Sequence, residues 1–270
     1  MTELNCIVFS RNRACQLDAF LRSLKLFWVD WKDYTKISVI WCYDGAKFLD
    51  GYNRLFNDHP DITFIDQTNK DFKETVINSV DPSIPFTVQF VDDIIFINPF
   101  TIKCPEFEAF KTEPETTCIS LRLHPLITYC YMLNISMFPP QWVAEGKWAW
   151  LNLPGDFGYA DSVDGHIFRT EDILPCIREQ SYTYPNALEG AMTQFIPKRP
   201  YMRCFQKAKI VNIPANKVGQ LITNRSGNVS VDVLNDQYLK GLRIDLRPFC
   251  GIQTSSVHCE LEYKWEPNII

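Results

Sequence analysis

The chain has 270 residues, 46% hydrophobic and 22% charged, which is the composition of an ordinary globular protein long enough to bury a large core. Its net charge of −5 argues against a nucleic-acid binder that relies on a broad basic face. The ten cysteines form no CxxC pair, and Cys6, Cys42 and Cys118 fall inside apolar strand-like runs, so they read as free thiols of a reducing compartment and exclude a disulfide framework or a zinc cluster of that type.

Asn5–Ser10 reads as a short apolar strand, and Ala14–Phe27 then places Leu17, Phe20, Leu21, Leu24 and Phe27 at helical spacing. Ile37–Tyr43 is a second strand, closed by Asp44-Gly45. Asp50–Asn57 suits a short helix, Ile62–Asp66 a third strand, and Lys70–Val80 a helix with Phe72, Val76, Ile77 and Val80 on one face. Behind Pro85, Phe86–Val91 has the apolar, β-branched character of a buried parallel strand and carries Asp92 and Asp93 out of its end. Strand and helix alternating over short connections imply a doubly wound parallel sheet with right-handed crossovers.

Beyond residue 100 the pattern loosens. Glu113–Thr117 reads as a linker into a strand at Cys118–Leu123, and the aromatic, proline-bearing stretch Tyr129–Pro154 lacks clean periodicity. Asp164–Arg169 reads as a strand, Glu171–Glu179 as a helix interrupted by Pro175, Ala187–Ile196 as a helix capped by Asn186, and 208–213 as a last strand. Residues 223–250 are polar and turn-rich, and a tail folded over the domain is expected there. The start MTELNCIVFSRNR has no basic region followed by an apolar stretch, and no run reaches the roughly 18 apolar residues of a membrane span; the expectation is a soluble cytoplasmic protein.

Three features converge on one edge of this sheet. The first strand ends in Phe9-Ser10-Arg11-Asn12-Arg13, the second in Asp44, the fourth in Asp92-Asp93, and ligands of open α/β sheets collect at such carboxyl ends. A nucleotide placed there stacks near Phe9 and Ser10, hydrogen-bonds to Asp44 and hands its diphosphate to a cation on Asp93. Burying Asp92 and Asp93 unpaired is costly, so a divalent cation with phosphate oxygens suits them; the alternative is an acidic turn in solvent. Arg11 and Arg13 are placed to stack on a base or pair with a phosphate, or else to make surface salt bridges. Lys70 and Lys73 open the helix before the acidic strand, and Lys73 is the one placed to reach a diphosphate.

IVFSRNRACQLDAFLRSL, Asp44 and FVDDIIF together resemble the opening strand and helix, the nucleoside contact and the metal motif of the A-type-fold (GT-A) glycosyltransferases, family 2-like members above all. The similarity covers residues 5–100 and weakens afterwards, and Val91 stands where that family usually carries another acidic residue. The resemblance implies an α/β, doubly wound, mixed but mainly parallel sheet flanked by helices, with a C-terminal tail packed over the domain. It implies one domain over 1–270, with a nucleotide-sugar half (1–100), an acceptor half (101–222) and a tail or lid (223–270). The implied activity is metal-dependent transfer of a sugar from a nucleoside diphosphate donor, UDP-sugar favoured, to a glycan or other hydroxyl acceptor with inversion, with no nucleic acid involved.

By the same resemblance Asp93 binds Mn2+ or Mg2+ directly, and Asp92 contacts the ribose or supports the site. His258 is the second metal ligand, unless it is a packing residue. Glu189 is the general base on the acceptor, unless it only favours its helix N-terminus; Asp164, Glu171 and Asp156 stand in reserve. His124 and His166 are weaker ligands, His166 being placed to line the acceptor pocket. Trp142, Trp148, Trp150, Phe157 and Tyr159 mark a region suited to an acceptor-sugar platform or to a core patch. Arg225, Arg243 and Arg247 lie in a segment that can close over the donor, around the loop Asn224–Gly227. Two competitors remain, a sugar-1-phosphate nucleotidyltransferase and a non-catalytic carbohydrate-binding α/β protein. The first needs a glycine-rich basic loop after its first strand, and SRNRACQ has no glycine.

Overall fold

The computed structural model describes residues 1–218 and 225–268. The first half runs β1 (Leu4–Arg11), α1 (Ala14–Phe27), α2 (Trp31–Tyr34), β2 (Thr35–Cys42), α3 (Ala46–Asp58), β3 (Thr63–Asp66), α4 (Phe72–Ser79), β4 (Phe86–Val91), β5 (Ile94–Phe96), α5 (Pro105–Thr112) and β6 (Thr116–Ser120). Short strands β7 (Tyr129–Cys130), β8 (Ile135–Ser136), β9 (Trp142–Ala144) and β10 (Lys147–Ala149) follow, then a 3-10 turn at Gly155–Gly158; another lies at Arg247–Phe249. The rest is β11 (His166–Arg169), α6 (Thr170–Glu179), α7 (Pro185–Phe195), β12 (Tyr201–Cys204), β13 (Ile210–Asn212), α8 (Val231–Leu239), β14 (Leu242–Ile244) and β15 (Trp265–Pro267).

Nine strands form one sheet in the order β3-β2-β1-β4-β11-β6-β12-β10-β9. Neighbours from β3 to β4 are parallel, β11 runs antiparallel between β4 and β6, β12 returns to parallel, and β10 and β9 close the far edge antiparallel. The class is α/β and the sheet is mixed. The alternation along β1 explains why both faces are covered: Leu4, Cys6 and Val8 pack into one core with α1, α3, α5 and α8, while Ile7 and Phe9 pack into the other with α4, α6 and α7. The strand ends of β1, β2 and β4 lie side by side because β1 pairs in register with both partners, Arg11 opposite Cys42 and Phe9 opposite Val91.

Three expectations are corrected. Pro175 does not interrupt α6; it sits on the exposed side, where water can meet the carbonyl its missing N–H leaves unbonded. Asn186 is not the cap of α7, because Pro185 opens the helix and Tyr184 precedes it. The strand expected at Cys118–Leu123 ends at Ser120, which releases Arg122 from the sheet into the cleft described below. The tail packs over the domain as expected, and it does so through a helix: Ser230 caps α8 through the Asp232 N–H, and Leu234 and Tyr238 are buried against α1 and α3.

Candidate active site

A cleft of about 1180 Å³ opens at the carboxyl ends of β1, β2 and β4 and is walled opposite by residues after β6, the 155–164 loop and the start of α7. That volume accommodates a nucleotide together with a second substrate. Phe9, Ser10, Arg11, Arg13, Asp44, Asp92, Asp93, Glu189 and His258 all line it, whereas Lys73 sits on α4 outside the cleft.

One corner is built by the turn after β1. Asn12 adopts a left-handed conformation (φ 59°), and its amide brackets Asp44, donating to Oδ2 at 2.7 Å and accepting from the Asp44 N–H at 2.8 Å. Arg11 donates to both Asp44 oxygens, at 3.1 and 3.0 Å, with both side chains half exposed at the mouth. Arg13 instead turns inward and is buried, bonding Asp92 at 2.9 Å, Asp93 at 3.3 Å and the Asn216 side chain at 2.8 Å. Both arginines are therefore tied to protein carboxylates. Ser10 is held by the Tyr52 hydroxyl at 2.7 Å, and Phe9 packs on Phe72 with ring centres 5.5 Å apart.

Asp92 is buried and accepts from Arg13 and from the Arg11 N–H at 3.3 Å, so its oxygens support the turn. Burial raises its pKa and Arg13 opposes that. Asp93 keeps Oδ1 buried without a hydrogen-bond partner, and burial, aided by the charges of Asp92 and Asp164 against the pull of Arg13, pushes its carboxyl up to about 7.

The opposite corner centres on Arg122, Asp164 and Glu189. Arg122, buried, donates to Asp164 at 3.2 Å and to the ring of His166 at 3.3 Å. Glu189, in the second turn of α7, accepts from the Val163 N–H at 3.3 Å; burial and then the Asp164 charge raise it to about 7, with Arg122 opposing. Asp156 joins from the 3-10 turn, its Oδ2 without a partner and its pKa raised by burial. His258 lines the cleft with Nδ1 unpartnered, and burial lowers it to about 3, so the ring is neutral at ordinary pH.

Several reserve candidates leave the site. Glu171 is exposed at the start of α6, away from the cleft. His166 does not line the pocket, and His124 bonds the Thr254 carbonyl at 3.1 Å. Trp148, Trp150 and Phe157 are core, the two indole N–H groups donating to the carbonyls of Phe157 and Arg199; of the five aromatics only Tyr159 faces the cleft. Arg225 lines it, bonded to the Tyr129 hydroxyl at 2.7 Å, whereas Arg243 and Arg247 pair with Glu266 and Asp245 elsewhere; Asn224 lies outside the described residues. Sequence reasoning passed over Arg122, Asn212 and Asn216. The signal for Arg122 was a lone cation at the end of the apolar run CISLRL.

Among the described residues, no three His, Cys, Asp or Glu side chains converge into a cation site of their own. The unpartnered oxygen of Asp93 and the neutral imidazole of His258 are donors that suit Mn2+, and the first also suits Mg2+.

No family model matches the chain. It is similar to a bifunctional glycosyltransferase, pgtA, of Dictyostelium discoideum, 30% identical over 139 residues that make up 48% of this chain and 18% of that protein. The chain thus spans less than a fifth of that relative. Among solved structures, residues 1–349 of S. aureus TarS give a TM-score of 0.48 at 12% identity, covering 79% of this chain and 61% of that one. A mannosyltransferase from Pyrobaculum calidifontis, in complex with GDP-Man and Mn2+, gives 0.42 at 13% identity, covering 75% and 54%. A cytidylyltransferase from Leptospira borgpetersenii gives 0.44 at 9% identity, covering 89% and 94%. The sequence similarity to a glycosyltransferase agrees with the resemblance carried by the SRNR turn and the Asp92-Asp93 strand end. The reaction itself has to be argued from the cleft.

Proposed function

We propose that the chain is a glycosyltransferase that moves a sugar from a nucleoside diphosphate sugar, with uridine favoured, to a hydroxyl of a glycan or similar acceptor, with inversion. The observation that carries this reading is the pairing of two carboxylates in one cleft: Asp93 at the strand end with an unpartnered oxygen, and Glu189 on the opposite wall with a pKa near 7. Asp44, held by Arg11 and Asn12 at the mouth, is placed to accept from the nucleoside. Glu189 takes the proton of the acceptor hydroxyl as that oxygen bonds to the anomeric carbon. The bond from this carbon to the diphosphate oxygen breaks, and its electron pair leaves with the diphosphate. A divalent cation on Asp93 and His258, completed by substrate oxygens, would offset the charge of that leaving group.

A sugar-1-phosphate nucleotidyltransferase needs free cations after β1 to hold a triphosphate, and Arg11 and Arg13 are both engaged by carboxylates. A non-catalytic carbohydrate binder has no use for a buried carboxyl near neutrality. The deciding experiment is calorimetric titration of UDP with Mn2+ into the wild type and Asp93→Ala, followed by a screen of nucleotide sugars for transfer or hydrolysis. Binding that needs both UDP and cation, and is lost in Asp93→Ala, is expected; nucleotide binding that ignores the cation would sink the metal-dependent reading.

A further inference from the structure

We propose that Arg122 is a positioning residue for Glu189, an inference that rests on the glycosyltransferase reading but is tested apart from it. Arg122 lies two residues beyond β6, is 2% exposed, and bonds two residues of the segment 160–166. At one end its Nε donates to His166 Nε2 at 3.3 Å. His166 Nδ1 lies 2.7 Å from the Ala160 carbonyl, which can only accept, so Nδ1 carries the ring proton and Nε2 is left as the acceptor. Burial, with the Arg122 charge, holds His166 at about 3, so this arrangement persists across the working pH range. Two residues before His166, Asp164 accepts from a second Arg122 N–H at 3.2 Å.

The segment tied in this way is the one that holds the base. Its Val163 N–H donates to Glu189 Oε1 at 3.3 Å. The charged and titratable groups facing Glu189 are Asp164 from the segment, Arg122 from the end of β6 and the phenol of Tyr159. The helix packed behind, α6, meets α7 through apolar side chains such as Ile173, Ile177, Leu188 and Met192. Arg122 is thus the cation that opposes Asp164 at the base, and its planar fork fixes the loop on which the base hangs.

The test compares wild type, Arg122→Met, Arg122→Lys and Arg122→Met/Asp164→Asn. The Glu189 carboxyl is titrated by 13C NMR, with its signal assigned through Glu189→Gln, and UDP with Mn2+ is titrated by calorimetry. The pH profile of kcat is added wherever transfer is found. Arg122→Met is expected to move the Glu189 midpoint up by about one pH unit, a roughly tenfold loss of rate on the acid limb, with UDP affinity held within about twofold. Arg122→Lys is expected to recover the midpoint and not kcat, and Asp164→Asn to bring the midpoint back down. An unmoved midpoint in Arg122→Met, or in Arg122→Lys with kcat intact if the Met variant does not fold, overturns the proposal. So does a loss of UDP affinity matching the loss of rate, which would make Arg122 a donor contact. Absence of any nucleotide binding in the wild type counts against the glycosyltransferase reading alone, since the carboxyl titration needs no substrate.

Discussion

Arg13 is one positive charge buried with two carboxylates, and neither partner has water to fall back on. Removing one member of a buried pair leaves an uncompensated charge and costs about 3–5 kcal/mol. Arg13→Met is therefore expected to lower the unfolding free energy by that amount in urea at pH 7.5. The loss should shrink near pH 4, because burial raises both Asp92 and Asp93, and protonation of the pair removes the stranded charge. A loss independent of pH would mean that packing, and not charge, is what Arg13 supplies. At Glu189 the sign runs through catalysis: as the proposed base it would work deprotonated, so kcat should rise with pH up to about 7 and flatten above. Glu189→Gln should lose about 10²- to 10⁴-fold in kcat, show no such limb, and keep its UDP affinity. The placement of Asp93 and Glu189 in the cleft was legible because their strand-end and helix-start positions follow from local pattern. The role of Arg13 was not, since a sequence does not say which carboxylate a guanidinium will find once the chain has folded.

At the scale of elements, β1, α1 and β4 are legible to within a few residues because their apolar periods are unambiguous and each is buried along most of its length. Helix α8 escaped notice: Val231, Leu234 and Tyr238 share a face, but Val233 and Leu239 lie off it and Asp232, Asn235, Asp236 and Gln237 stand between, in a stretch that reads as loop. What makes it a helix is tertiary. Tyr238 is fully buried, its hydroxyl donates to Asp58 on α3 at 3.2 Å, and Arg54 lies over its ring at 5.1 Å. In the aromatic stretch the core patch, one of the two readings open from sequence, is what forms: Trp142, Trp148 and Phe157 meet edge to face at 5.5–6.2 Å and pack on one another. The consequence for α8 is measurable. Leu234→Ala should cost about 2–5 kcal/mol, the usual range for emptying a buried leucine site. If the tail belongs to the same cooperative unit, far-UV circular dichroism and tryptophan fluorescence should still report one coincident transition. Two separated transitions would make residues 225–268 an appended layer.

At the scale of the whole molecule, the charge distribution sets how ligands can enter. The chain carries a net charge of −5, and the cleft gathers Asp92, Asp93, Asp156, Asp164 and Glu189 around only two buried arginines, Arg13 and Arg122. A nucleoside diphosphate alone brings more negative charge to that wall and gains little. A cation alone finds no set of three protein ligands among the described residues and gains little either. On the proposed reading they solve both problems together: phosphate oxygens would complete the coordination that Asp93 and His258 begin, and the cation would screen the diphosphate from the carboxylates. Thermal melts should therefore be strongly non-additive: Mn2+ alone and UDP alone each move the midpoint by about a degree or less. At a hundredfold excess over Kd the pair should stabilise by about 2.7 kcal/mol, and a domain of roughly this size gains about 2–4 °C per kcal/mol. Chelation with EDTA should return the melt to the UDP-only value, and Asp93→Ala should abolish the joint shift. A shift that UDP produces equally with and without the cation would show that the cleft neutralises the diphosphate by itself, and would move that task from Asp93 to the arginines.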